Sequence, residues 1–269
     1  MLKTEMRNPR TYGIERMETA EIVRTINEEN RTVADAIDAA IGDIAKATDA
    51  IVRTIQSGGR VFYIGAGTSG RLGIIDATEC PPTFGVSPDL FTGIIAGGHE
   101  CVFRAAEGEE DDPERSKQDL DEAGMQAGDT VVGISASGGA AYVISALKHA
   151  KEKGATAVSI SNNPGSPMAA VAEIAICADT GPEVITGSTR MKAGTAQKII
   201  LNMLSTAAMV KCGHVYENLM INLKPTNKKL RRRVISIVCE ILKCDEERAI
   251  ALLDANEWNI RRAVESAKA

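Results

Sequence analysis

The sequence predicts an α/β protein built on a parallel sheet flanked by helices, with helices before the sheet and a small helical region after it. Three observations carry that prediction. An apolar run, a turn rich in Gly and Ser and a helical stretch follow one another near 61–80 and again at 130–150. Further apolar runs at 91–96, 157–160 and 174–178 alternate with helical segments, as in a parallel sheet covered on both faces. From 226 onward there are only helical signals.

Taken in order, Val33, Ile37, Ile41, Ile44, Ile51 and Ile55 stand mostly three, four or seven apart, which predicts one amphipathic helix. Ser57-Gly58-Gly59 ends it. Val61-Phe62-Tyr63-Ile64 is the first strand, and Gly65-Ala66-Gly67-Thr68-Ser69-Gly70-Arg71 opens a helix expected to stop by Pro81-Pro82, since proline lacks the N–H a helix needs. The second unit has its strand at 130–134 and its turn at Ser135-Ala136-Ser137-Gly138-Gly139. Tyr142, Val143, Ala146, Leu147 and Ala150 mark the helix that follows. A long helix is expected from 188 to 209, and Asp245-Glu246-Glu247 favours a helix start in the tail.

With 269 residues, 44% hydrophobic and 25% charged, the chain has globular composition, enough for one large α/β domain and an appendage. A net charge of -5 leaves no basic footprint for nucleic acid. The one cluster, Lys228, Lys229, Arg231, Arg232 and Arg233, falls on a helical pattern and reads as a solvated face. No apolar stretch approaches a bilayer span, and the polar start lacks a signal-peptide core, so no membrane partner and a cytoplasmic location are expected. Cys80, Cys101, Cys177, Cys212, Cys239 and Cys244 form no C-x-x-C pair and have no nearby His, which suits reduced thiols and no metal.

Both turns are suited to a phosphate: glycine lets the backbone approach closely, and the following helix offers unpaired N–H groups at its positive end. Thr68, Ser69, Ser135 and Ser137 add hydroxyl donors without charge, and one site could use both turns. Gly65-x-Gly67-x-x-Gly70 formally matches a dinucleotide fingerprint, but the acidic residue expected about twenty positions on is not in place. No Lys-Ser or Lys-Thr follows either, so no nucleotide cofactor is expected and a sugar phosphate is favoured. Glu79, among small and apolar residues, reads either as a proton-transfer group or as the partner of a nearby Arg or Lys. Glu110 lies in an acidic run that is otherwise a solvated face or helix start. His99, His149 and His214 have no Ser or Cys constellation, so a nucleophilic triad has no support.

These residues resemble the sugar isomerase (SIS) fold and, within it, the N-acetylmuramic acid 6-phosphate etherase family. The matching segments are 65–85 (GAGTSGRLGIIDATECPPTFG), Glu107-Gly108-Glu109-Glu110-Asp111 and 181–198 (GPEVITGSTRMKAGTAQK). Asn202-Met203-Leu204-Ser205-Thr206 and Asn218-Leu219-Met220 extend the match over nearly the whole chain. The resemblance implies helices at 1–52, an SIS domain at 53–216 and a helical region at 217–269. It implies a lyase of cell-wall sugar recycling or catabolism that releases D-lactate from N-acetylmuramic acid 6-phosphate, leaving N-acetylglucosamine 6-phosphate, by elimination and then hydration. Glu79 then protonates the departing lactate oxygen, and Glu110 is the second functional carboxylate. Gly67, Thr68, Ser69, Gly70, Arg71, Ser135, Ser137, Gly138, Ser188 and Lys192 are the implied substrate-binding residues. A homodimer with its site near the subunit interface, and a helical tail longer than 257–269, are also implied.

One departure stands out: where the family usually reads Ser-Gly-Arg-Thr-Pro-Tyr, this chain reads Ser137-Gly138-Gly139-Ala140-Ala141-Tyr142, lacking a Thr that donates to phosphate in the wider fold. The alternative of another class is a sugar-phosphate-binding regulator resembling the glucokinase regulatory protein, without turnover. An aldose-ketose isomerase leaves the Glu79-Cys80-Pro81-Pro82 and 187–192 segments unexplained. Lactate release is expected to survive exhaustive chelation and to need no added nucleotide; loss on EDTA treatment that zinc or magnesium restored would overturn this.

Overall fold

A computed structural model describes residues 2–223, 225 and 227–268. Helices α1 (Thr19–Asn30), α2 (Thr32–Asp38) and α3 (Ile41–Gln56) lead into β1 (Val61–Gly65) and α4 (Gly67–Phe84). Next come β2 (Phe91–Ile95), α5 (Glu100–Phe103), α6 (Pro113–Glu122), β3 (Thr130–Ile134) and α7 (Ala141–Glu152). The sheet is completed by β4 (Thr156–Ser161), α8 (Pro167–Val171) and β5 (Ile174–Cys177), and is followed by α9 (Lys192–Lys211). A small hairpin, β6 (Val215–Tyr216) and β7 (Leu219–Met220), precedes α10 (Lys228–Leu242), α11 (Glu246–Ala255) and α12 (Ile260–Lys268).

The five strands β1 to β5 are parallel, in the order β2-β1-β3-β4-β5. Side chains alternate across a strand, so Val61 and Tyr63 face one core with Val132 and Ile134, while Phe62 and Ile64 face the other with Val131. The first core is closed by α3, α4 and α9 through Ile51, Ala77, Leu201 and Leu204. The second is closed by α6 and α7 through Leu120, Tyr142 and Leu147. This is the two-sided sheet that the alternating runs predict. β1 lies between β2 and β3, and the strand order reverses there, which makes the carboxyl ends of β1 and β3 the topological switch point where such sheets bind ligands.

Three expectations are corrected. The stripe from Val33 to Ile55 is not one helix: the chain breaks at Ala39 and Ala40, and Ile41 is 44% exposed. The break lets α2 and α3 each lay a face against α9. Pro81 and Pro82 do not stop α4, which runs to Phe84 and is capped by Gly85 at φ 68°, whose N–H donates to the Pro81 carbonyl. Proline's own φ is helical, and its missing N–H is tolerated here in the last turns, where few carbonyls remain to be served. The long helix starts at Lys192 rather than near 188, because the buried Glu183 carboxylate accepts the Lys192 and Ala193 N–H groups at 3.0 and 2.9 Å and replaces a conventional cap.

The tail has its own core of Val234, Val238, Ala249, Leu253, Ile260 and Ala263. Asp245 caps α11 by accepting the Arg248 N–H. The basic cluster on α10 is exposed, with the Arg231 guanidinium 4.0 Å from the Trp258 ring centre. The expected boundary at 52–53 falls inside α3, and that at 216–217 at the turn of the β6–β7 hairpin.

Behind α4, Asp76 is 5% exposed. Its Oδ1 accepts from Asn202 Nδ2 and Ser205 Oγ, whereas Oδ2 and the buried Tyr63 hydroxyl have no hydrogen-bond partner among the described residues. Burial raises the Asp76 carboxyl above its ordinary 3.8, against the opposing pull of Asn202, Ser205 and Lys198. The folded state therefore holds this proton to higher pH than the unfolded chain, and stability falls as pH rises through the window above 3.8. Asp76→Asn, which copies the protonated form, is expected to flatten that part of the curve; melting midpoints of the two proteins that track in parallel across pH 4–7 would contradict this.

Candidate active site

Close packing of the first strand on its helix forms the floor of the site. A Cβ on Gly65 would stand 2.8 Å from the Gly70 nitrogen, and one on Gly70 would stand 2.7 Å from the Gly65 carbonyl, so both positions require glycine. The turn can then pass straight from Gly65 into α4, leaving the N–H groups of Gly67, Thr68 and Ser69 in the first helical turn without helical acceptors. In the second turn Gly138 has φ 70°, and a Cβ there would meet Ser166 at 2.4 Å. The Ser135 hydroxyl accepts the Gly138 N–H at 3.1 Å and lies 3.3 Å from the Ser137 hydroxyl, which accepts the Gly139 N–H.

Because Gly65 and Ile134 are register partners, the two turns lie side by side and share one cavity of about 420 Å³. Gly67, Thr68, Ser69, Arg71, Ser135 and Ser137 line it, as does Glu110. Gly70 and Gly138 shape its walls without being exposed to it, and Ser188 lies between two residues that do line it, Gly187 and Thr189. The lining is also acidic: Glu107 and Glu109 join Glu110, and Glu5 comes from the far N-terminal segment. Motif spacing gave no sign of Glu5.

Among the described residues Arg71 is the one basic residue lining the cavity, and its guanidinium is held by backbone carbonyls. Nε donates to the Val102 carbonyl at 2.8 Å, and Nη2 donates to those of Cys101 and Arg104 at 2.6 and 3.2 Å. It thereby clasps the segment leading into the acidic loop. Beside it, the helix N–H groups and neutral hydroxyls of the two turns are suited to an anion.

Ser69 is only partly such a donor. Its hydroxyl donates to Gln197 Oε1 at 2.9 Å, Gln197 Nε2 donates to Asn162 Oδ1 at 3.0 Å, and Asn162 Nδ2 donates to the Ala178 carbonyl at 2.9 Å. A backbone carbonyl only accepts, so it sets the direction of every bond in this chain and turns the Ser69 proton toward Gln197. The lone pairs of Ser69 are what remain for the cavity.

Lys192 does not line the cavity. It is 2% exposed, and its Nζ donates at 2.8 Å to Glu29, which also meets Asn8 Nδ2 at 2.8 Å and Arg10 Nη2 at 2.6 Å. Burial pushes the Glu29 carboxyl up, but Lys192, Asn8 and Arg10 together hold it below its ordinary value. Glu79 is also outside the cavity. It lies on the exposed face of α4, twelve residues past Gly67, a rise of roughly 18 Å along the helix axis. Among the described residues no group of three or more His, Cys, Asp or Glu side chains is gathered to hold a metal.

Sheet order and paired Gly-Ser turns at the switch point define a protein of the SIS-domain class. Residues 43–151 match the glucokinase regulatory protein N-terminal SIS domain, residues 115–207 the SIS domain, and residues 234–266 a UBA-like domain. A phosphoheptose isomerase from Francisella tularensis shares the fold, with a TM-score of 0.55 at 14% identity over 72% of this chain and 100% of its own. Curated relatives are far more similar. The N-acetylmuramic acid 6-phosphate etherase of Actinobacillus pleuropneumoniae is 50% identical over 97% of this chain and 86% of its own length. That of Aeromonas hydrophila is 52% identical over 93% of this chain and 85% of its own length. The chain belongs to the N-acetylmuramic acid 6-phosphate etherase family.

Ala140 occupies the N-cap of α7, makes no capping hydrogen bond and lines the cavity, while a Cβ on Gly139 would find nothing nearer than Ser137 Oγ at 3.7 Å. Gly139→Arg with Ala140→Thr therefore has room for the arginine and adds both a cap and a hydroxyl donor. Stability should rise by about 0.5–2 kcal/mol from the cap, and the Michaelis constant should fall more than turnover changes, because phosphate binding remote from the reacting carbons acts on ground and transition states alike. An unchanged or higher Michaelis constant would mean that this loop meets a different part of the ligand.

Proposed function

We propose that the chain cleaves the D-lactyl ether of N-acetylmuramic acid 6-phosphate, giving N-acetylglucosamine 6-phosphate and D-lactate, with Glu79 and Glu110 as its proton-transfer groups. One observation carries this reading for the site: a single cavity is lined both by the two Gly-Ser turns and by the Glu107 to Glu110 loop. The 6-phosphate occupies the turns, which directs the sugar ring toward the acidic loop. Glu110 takes the proton from carbon 2, the electron pair left behind expels lactate from carbon 3, and an acid protonates the departing oxygen. Water then adds to the unsaturated aldehyde at carbon 3. No step calls for a metal or a redox group.

Glu79 cannot serve the cavity of its own chain from its position on α4. Its placement supports a homodimer in which Glu79 of one copy completes the site of the other. Ile75, one turn earlier on the same face, is 53% exposed, and α9 offers a shallow apolar groove lined by Ile199, Met203, Ala207 and the 46% exposed Val210. Docking there would desolvate Glu79, and desolvation favours the protonated form that a general acid needs. Lys192 is then a positioning residue rather than a ligand contact. The separate core of α10 to α12 supports the reading of 217–269 as its own helical unit beside an SIS domain at 53–216 and N-terminal helices at 1–52. A phosphorylated substrate supports a cytoplasmic location, and no helix among the described residues is long and apolar enough to cross a membrane.

Incubation of the purified chain with N-acetylmuramic acid 6-phosphate should release D-lactate. Glu79→Gln should lower turnover by about 10²–10⁴-fold while leaving sugar-phosphate binding largely intact. Chains carrying Glu79→Gln and Glu110→Gln, inactive apart, should regain activity when refolded together, since mixed dimers rebuild one intact site. Absence of lactate release by the unaltered chain would sink the etherase reading, and absence of regain would sink the shared site.

A further inference from the structure

A carboxylate reaches the cavity from a segment that the chemistry above does not use. The chain before α1 lies as a strap across the ends of β4 and β5. Thr4, fully buried, donates its N–H to Asn163 Oδ1 at 3.3 Å, and Asn163 Nδ2 donates back to Thr4 Oγ1 at 2.9 Å. The same Asn163 Nδ2 donates to the carbonyl of Ala136, in the second phosphate turn, at 2.9 Å. Lys3 pairs with Asp179, Asn8 with Glu29, and the Thr11 hydroxyl donates to the Val184 carbonyl at 3.0 Å. The residue next to Thr4 therefore has a defined place relative to the phosphate site.

That residue is Glu5, and it lines the cavity together with Gly187 and Thr189. Gly187 has φ 76°, and a Cβ built on it would stand 3.3 Å from Glu5 Oε2, so the glycine leaves the carboxylate its space. Arg71, the only basic residue in the lining among the described residues, is bound to three backbone carbonyls and makes no ion pair with Glu5. An ionised carboxylate only accepts hydrogen bonds. It repels phosphate and selects a donor, and the donors on an amino-sugar phosphate are its ring hydroxyls and its amide N–H.

We propose that Glu5 reads the sugar: its carboxylate accepts a hydrogen bond from a ring hydroxyl or from the N-acetyl N–H of the bound sugar phosphate, orienting the ring against the acidic loop. This rests on the etherase reading and adds a specificity residue to it. A hydrogen bond to a charged group is worth about ten- to hundred-fold in affinity.

The test uses the full chain carrying Glu5→Ala, Glu5→Gln or Thr4→Ala, with steady-state kinetics on N-acetylmuramic acid 6-phosphate, calorimetric binding of N-acetylglucosamine 6-phosphate and thermal midpoints. Glu5→Ala should raise the Michaelis and dissociation constants by about ten- to hundred-fold with the midpoint unmoved, since Glu5 is exposed and its side chain takes no part in the strap's bonds. Glu5→Gln, which keeps one acceptor oxygen, should recover part of the loss. Thr4→Ala removes the side-chain bond that Asn163 Nδ2 makes to the strap and should lower the midpoint. Constants within twofold of the unaltered chain in Glu5→Ala would overturn the proposal. So would weaker binding accompanied by the same loss of midpoint as Thr4→Ala, which would make Glu5 a part of the strap. An unaltered chain that binds the product without releasing lactate would sink the etherase reading alone, with Glu5 still judged by the dissociation constants; one that binds nothing would sink both.

Discussion

A lysine and a glutamate, each 2% exposed, face one another at 2.8 Å where α1, the N-terminal strap and the first turn of α9 meet. Two charges removed from water cost several kcal/mol each, and only close geometry with further hydrogen bonds offsets that. Glu29 has both: Lys192 and Asn8 on Oε2, and Arg10 on Oε1. Removing one partner would strand the other, a loss of roughly 3–5 kcal/mol. The pair therefore permits one arrangement of three segments that are distant in sequence, and the rest of the site builds on that arrangement. It fixes the start of α9, whose Gln197 orients Ser69, and it holds the strap that carries Glu5.

Charge is divided across the cavity in the same economical way. Among the described residues Arg71 is the one cation lining the cavity, held in place by backbone carbonyls, and beside it the two turns offer the N-terminal dipoles of α4 and α7 and neutral hydroxyls. Arg71 also clasps the segment through which the acidic loop is attached.

Hydrogen-bond direction adds a second level of control. The path from Ser69 through Gln197 and Asn162 ends on the Ala178 carbonyl, so a backbone group at the end of β5 decides which way a hydroxyl in the cavity points. Buried chains of this kind specify a geometry because reversing any one bond leaves an unsatisfied group behind. Ala140 marks the contrasting case, a helix N-cap and cavity wall with no hydroxyl.

Much of this was legible in the sequence, and what was legible is local. The runs 61–64 and 130–134 followed by glycine-rich turns announce strand, phosphate turn and helix, because strand propensity, glycine's left-handed φ and helix periodicity are each properties of a few adjacent residues. The sheet and the pairing of Thr68 and Ser69 with Ser135 and Ser137 follow from it, as does the chemical character of Glu79 and Glu110. Tertiary structure decided the rest. It broke the stripe at Ala39, carried α4 through two prolines, and let Glu183 start α9 from outside the helix. It also withdrew Lys192 into a buried pair, turned Glu79 outward, and brought Glu5 to the cavity through Asn163, 159 residues from Thr4 in the chain. The direction of a polar side chain depends on partners far away in sequence, and no local pattern records where those partners will be.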